Sequence, residues 1–123
     1  MRDPTKLAVV PESEKLAVLI YQSTRAFPKD ERFGLIAQLR RAAVSIGSNI
    51  VEGCNRRGDK AFVAFLYQAL GSAGELEFQL RLSLRLGFGT KTGLAATLDQ
   101  ANKVKRMLIN LNASLEDQAR VNA

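Results

Sequence analysis

The chain predicts an all-α fold, a single-domain antiparallel up-down-up-down bundle of four helices, and three observations carry that expectation. Apolar residues recur at steps of three and four in four separate segments. Short glycine, proline and polar runs divide those segments, and short connections make antiparallel neighbours. No segment alternates with period two, so no strand is expected.

The first helix is expected over about residues 10–27. Pro11 suits a first turn because its missing N–H would be unpaired there anyway, and Leu16, Leu19, Ile20 and Phe27 follow at near-helical spacing. Pro28 stops the helix, since proline disfavours helical geometry in the residue before it, and PKDER is a short connection. The second helix spans about 32–55, with Leu35, Leu39, Ala42, Ala43, Ile46 and Ile50 on one face and Gln38, Arg41, Ser45 and Ser48 largely off it. Gly47 interrupts it at a cost of about 1 kcal/mol relative to alanine, which suggests a bend or a close neighbour.

GCNRRGD ends that helix, and Asp59 is read as the N-cap of a third helix over about 60–88. At about 100° per residue, Phe62, Leu66, Ala69, Ala73, Leu76, Leu80 and Leu84 form one continuous core stripe. Val63, Tyr67, Gly71, Gly74, Phe78 and Leu82 form a second apolar stripe on the opposite side. A helix of a small four-helix monomer normally keeps one face for water, so this second stripe predicts self-association or another protein partner. GFGTKTG makes a turn, and the fourth helix, about 92–117, places Leu94, Leu98, Ala101, Val104, Leu108, Leu111 and Leu115 at steps of three and four. Asn and Gln decorate its other faces, and the tail beyond Asp117 is expected to fray.

The composition removes much chemistry. The 123 residues contain no His, no Trp and a single Cys, so imidazole catalysis, His metal ligands, an intramolecular disulfide and multi-Cys zinc sites are excluded. The opening MRDPTKLAVVPESEK lacks a basic region followed by a long apolar stretch, and no run is long enough to span a bilayer, so a cytoplasmic protein with no membrane partner is expected. The net charge of +6 permits an anionic partner without requiring one.

QLRRAAVSIGSNIVEGCNR, from Gln38 to Arg56, and FLYQALGSAGELEFQL, from Phe65 to Leu80, together resemble the four-helix bundle family of proteins encoded in intervening sequences of bacterial 23S ribosomal RNA. The likeness extends over most of the chain: Leu7, Val9 and AVLIYQST resemble that family's first helix, FPKDERFGL its first turn and LRLGF the end of its third helix. The resemblance implies a small cytoplasmic bundle that assembles into five-membered rings. A similar bundle occurs in the accessory protein of diversity-generating retroelements, which binds nucleic acid and a reverse transcriptase. The chain departs from the family at Gly47, where proline is frequent, and at KTGLAA, where relatives are usually acidic.

Several side chains invite a functional reading. Arg40 and Arg41 suit phosphate contact, although an antiparallel hairpin of the second and third helices also sets them level with Glu75 and Glu77 as ion-pair partners. Arg56, Arg57 and Lys60 lie in or beside a turn, and with Arg25, Lys29 and Arg32 they complete eight basic side chains against four acidic ones between residues 20 and 60. In a ring, repeated loop charges would line one rim and form an electrostatic footprint for RNA or DNA. Ser45, Asn49 and Glu52, with Ser72 and Glu75, read as a polar ladder between apolar helices, structural rather than a carboxylate metal site, because di-iron bundles need a histidine partner. Cys54 has no base beside it and reads as a packing residue. Gly71 and Gly74, with Ser72 and Ala73, make a small-residue patch suited to close helix approach.

The function expected is a non-catalytic, self-assembling scaffold, pentameric by resemblance, that binds RNA or DNA through basic loop residues. The alternative is a module whose partner is another protein. No cofactor, metal or catalytic residue is expected.

Overall fold

A computed structural model describes residues 1–122. Four helices, α1 (Val9–Thr24), α2 (Leu35–Cys54), α3 (Asp59–Leu86) and α4 (Lys91–Asn122), close into a bundle. Each helix packs on two others, α1 and α3 both touching α2 and α4, and the diagonal pairs do not meet. This is the up-down-up-down topology, with no strand among the described residues.

The core follows the helical periodicity. Leu16, Ile20, Leu39, Ile46, Ile50, Phe62, Leu66, Leu76, Leu80, Leu94, Val104 and Leu108 are fully buried. Alanines at 42, 43, 69, 73 and 101 are buried between them, where a small side chain lets neighbouring helices come close.

The helix limits differ from the sequence reading at several ends. α1 stops at Thr24, three residues before the expected end, because the chain tightens there: the Arg25 amide donates to Gln22 O and the Phe27 amide to Thr24 O. Phe27 still enters the core, from the turn, with its ring 5.5 Å from that of Phe88 in the α3–α4 connection. α2 begins at Leu35 rather than near Arg32, since residues Lys29–Glu31 form a separate 3-10 turn and the Glu31 carboxylate accepts from the Leu35 amide. Asp59 is not a cap: Gly58 holds that position at φ 79°, and the Asp59 carboxylate pairs with Arg2 instead. α3 ends at Leu86, where Gly87 turns left-handed at φ 74° and the Phe88 amide reaches back to Ser83 O at 3.0 Å. α4 starts under Thr90, whose hydroxyl accepts from the Gly93 amide at 3.1 Å, and it continues through Asn122 rather than ending at Asp117. Gly47 leaves α2 unbroken.

Polar side chains also occupy the interior. On α4, Thr97, Gln100 and Asn112 are buried, against the expectation that its amides decorate the outside. Gln100 donates to Glu12 O at 3.0 Å and Thr97 shares a hydrogen bond with Ser23 at 2.9 Å, so both tie α4 to α1. Glu77 of α3 meets Lys105 of α4 at 3.2 Å. Burial pushes that carboxyl upward, but hydrogen bonds from Lys105 and Arg81 outweigh it and hold its pKa below the ordinary value.

Candidate functional site

The topology decides which basic residues can act together. α2 is 20 residues long, about 30 Å at 1.5 Å per residue. Arg25, Lys29 and Arg32 lie at its N-terminal end, near Arg85 and Lys91, whereas Arg56, Arg57 and Lys60 lie at its C-terminal end, near Arg2. The basic excess of residues 20 to 60 is therefore split between opposite ends of the bundle, and the single rim expected from the sequence does not form within one chain.

At the α2–α3 end the cations differ in availability. Arg56 is held by Glu52 at 2.6 Å and lies over the Phe65 ring, so its charge is largely offset. Arg57 and Lys60 are exposed and enter no ion pair among the described residues. Arg2 is spent on structure: its amide donates to Cys54 O at 2.8 Å, and its guanidinium lies 4.2 Å above the Phe62 ring while pairing with Asp59. Cys54 beside it is fully buried, and that burial raises the thiol pKa, which disfavours the nucleophilic thiolate.

Arg40 and Arg41 do not reach Glu75 or Glu77. Arg40 turns to α1, donating from Nε to Thr24 Oγ1 at 3.0 Å and from a terminal nitrogen to Tyr21 O at 3.4 Å, with its guanidinium 4.5 Å from the Tyr21 ring centroid. Arg41 is exposed and forms no ion pair among the described residues. Glu77 is taken by Arg81 and Lys105, and Glu75 accepts from Gln79 at 3.1 Å. Arg40→Ala is therefore expected to cost about 1–2 kcal/mol, through two lost hydrogen bonds and a cation–π contact. Arg41→Ala should stay within about 0.5 kcal/mol of wild type. Urea denaturation of the two variants checks this.

The polar residues between α2 and α3 form a shorter ladder than the sequence suggested. Ser45 and Ser72 share a hydrogen bond of 2.9 Å across the seam, Asn49 donates back to Ser45 O, and buried Gln79 links Glu75 to Gln38 at 3.5 Å. Glu52 leaves the ladder for Arg56, so Glu52 and Glu75 make no carboxylate pair. Among the described residues no cluster of three or more His, Cys, Asp or Glu is placed to hold a metal ion.

The second stripe of α3 is uneven. Phe78 is 67% exposed, Tyr67 49% and Leu82 37%, and Gly71 is also exposed, while Val63 and Gly74 are half-buried. The Tyr67 hydroxyl donates to Glu116 of α4, and that hydrogen bond is the first cause of its raised pKa. A side chain added at Gly71 or Gly74 would meet nothing within 4 Å. The close helix approach expected at these glycines is thus not made inside the chain. Sequence reasoning passed over Phe33, which is 86% exposed beside the cations of the α1–α2 connection; its place in a charged, turn-rich run was the available signal.

The fold is that of a closed antiparallel four-helix bundle with an apolar strip and two basic ends. Residues 5–110 match the family model of the 23S rRNA-intervening sequence protein, and the chain belongs to that family. A crystal structure of a protein of unknown function from the S23 ribosomal protein family of Bacteroides thetaiotaomicron is similar, with a TM-score of 0.77 and 26% identity over 85% of this chain and 98% of that one. A search of curated proteins gives no match. No catalytic family is indicated, and no helix among the described residues is long and apolar enough to cross a membrane.

Proposed function

We propose that this protein is a non-catalytic scaffold that self-associates through the outer stripe of α3, as a pentamer by family resemblance, and binds nucleic-acid phosphates through basic residues near its helix ends. The observation that carries the reading is that Arg57 and Lys60, together at the α2–α3 end, and Arg41 on α2 are exposed and have no carboxylate partner among the described residues. Unpaired guanidinium and ammonium groups can neutralise phosphates and release counterions without first breaking an internal pair. Self-association would repeat each such group around the assembly and add the fields.

Binding of RNA measured as a function of salt tests the reading. Each phosphate contact removed should reduce the slope of log K against log salt by about one unit, so Arg57→Ala with Lys60→Ala should flatten it by about two units and weaken binding alike across sequences. Arg56→Ala should do less, because Glu52 already offsets its charge. The exposed stripe also supports a second reading, a module for another protein; it takes over if the wild-type protein binds neither RNA nor DNA at low salt.

A further inference from the structure

The α1–α2 connection carries a feature that the basic residues of the other end lack. A cleft of about 540 Å³ opens there, and its walls include Arg25, Lys29, Arg32 and Arg40, with Asp30 as the acid among its lining residues. None of these four cations enters an ion pair among the described residues. Arg40 is the most constrained. Its half-buried guanidinium is fixed by neutral groups alone, the Thr24 hydroxyl, the Tyr21 carbonyl and the Tyr21 ring. A cation so placed keeps its full charge and its direction, and loses little entropy when an anion arrives.

Phe33 stands next to this cleft with 86% of its surface in water. The ring is not on a loose loop. The Gly34 amide donates to Glu31 O at 3.0 Å, Gln38 N donates to Gly34 O at 3.1 Å, and the Glu31 carboxylate caps the Leu35 amide, so the segment is tied into the start of α2. The Arg32 guanidinium lies 4.9 Å from the ring centroid and occupies one face. The opposite face is left for a flat partner.

We infer that this end of the bundle binds single-stranded nucleic acid, with one unpaired base stacked on the free face of Phe33 and the neighbouring phosphates in the cleft against Arg25, Lys29 and Arg40. The inference rests on the nucleic-acid reading above and narrows it. An aromatic face beside a cationic groove fits an unpaired base, because every base offers a π-face and a duplex hides it. A membrane surface fits less well: in the run from Pro28 to Gly34, Phe33 is the one large apolar side chain, and the rest is charged or turn-forming, whereas interfacial anchoring needs a broad apolar face.

The test compares a short labelled single-stranded RNA with its duplex in equilibrium anisotropy titrations, using full-length protein. Wild type should prefer the single strand. Phe33→Ala should weaken single-strand binding about tenfold with the salt slope unchanged, and Phe33→Trp should restore it, since stacking is not electrostatic. Arg25→Gln with Lys29→Gln should instead flatten the slope by about 0.7 units per residue. All three positions are exposed, so circular dichroism should be unchanged. Equal affinity for single strand and duplex, or Phe33→Ala binding as wild type does, overturns the inference while the nucleic-acid reading stands. A change of particle mass in Phe33→Ala overturns it in favour of an assembly contact, and Phe33-dependent binding to anionic phospholipid vesicles overturns it in favour of a lipid surface. Absence of any RNA binding by wild type at low salt defeats both readings together.

Discussion

If the protein self-associates through the outer stripe of α3 as proposed, Phe78→Glu combined with Leu82→Glu is expected to leave only monomers while helical circular dichroism stays unchanged. Both side chains lie on the side of α3 away from the core and neither belongs to the core cluster, so the substitutions leave the core packing intact. In an assembly built on this stripe, each new carboxylate would have to leave water without a partner, at a cost of several kcal/mol per ion, and a closed assembly repeats that cost at every interface. Gly71→Ala with Gly74→Ala provides an independent arm. In the isolated chain an added methyl meets nothing within 4 Å at either position, so each exchange should strengthen the helix by up to about 1 kcal/mol. If a neighbouring copy lies close against these glycines, the same pair weakens assembly while raising monomer stability. Light scattering that finds wild-type monomers at micromolar concentration removes the self-association reading.

The bundle was legible because helical periodicity and burial are the same information seen twice. All six apolar positions assigned to the inner face of α2 are buried, and six of the seven on α3 are, Leu84 being half-exposed. Helix ends were less legible, and Phe27 shows why. Its apolar side chain continues the period of α1, yet it reaches the core from a tightened turn, and periodicity alone cannot separate a helical residue from a turn residue that packs inward. Buried polar groups were hidden for a related reason. Gln100 looks like a surface residue until Glu12, 88 positions away, supplies its acceptors.

The candidate site was less legible than the fold, because sequence gives level along a helix more readily than direction around it. An antiparallel α2–α3 hairpin pairs Ser45 with Ser72 and Gln38 with Gln79, which does set Arg40 level with Glu77. Arg40 nevertheless turns away to α1, whose Tyr21 and Thr24 no two-helix argument includes. Charge counting has the same weakness. Residues 25–32 and 56–60 are close in sequence, but α2 separates them by about 30 Å, so their charges act on different ligands or on different parts of one long ligand.

Two glycines of α2, six residues apart, should respond to the same substitution with opposite sign. At Gly53 an added Cβ would lie 2.9 Å from Phe65 Cβ and 3.0 Å from the Phe62 ring. Phe62 cannot yield easily, because it is fully buried and the Arg2 guanidinium covers its ring. Gly53→Ala must therefore push α3 away from α2 where the two helices converge on their shared turn, and it is expected to cost about 1–3 kcal/mol, with Gly53→Val costing more. At Gly47 the nearest atom to an added Cβ is Ser13 Cβ at 3.9 Å, an ordinary contact. The helix is continuous there, so Gly47→Ala removes unfolded-state freedom without a clash and should add about 0.5–1 kcal/mol. Urea denaturation of both variants, with protein concentration held fixed so that assembly contributes equally, measures the difference. A stabilising Gly53→Ala would mean that α2 and α3 are not packed this closely at their turn, and a destabilising Gly47→Ala would mean that a neighbouring chain, rather than Ser13, lies against that face of α2.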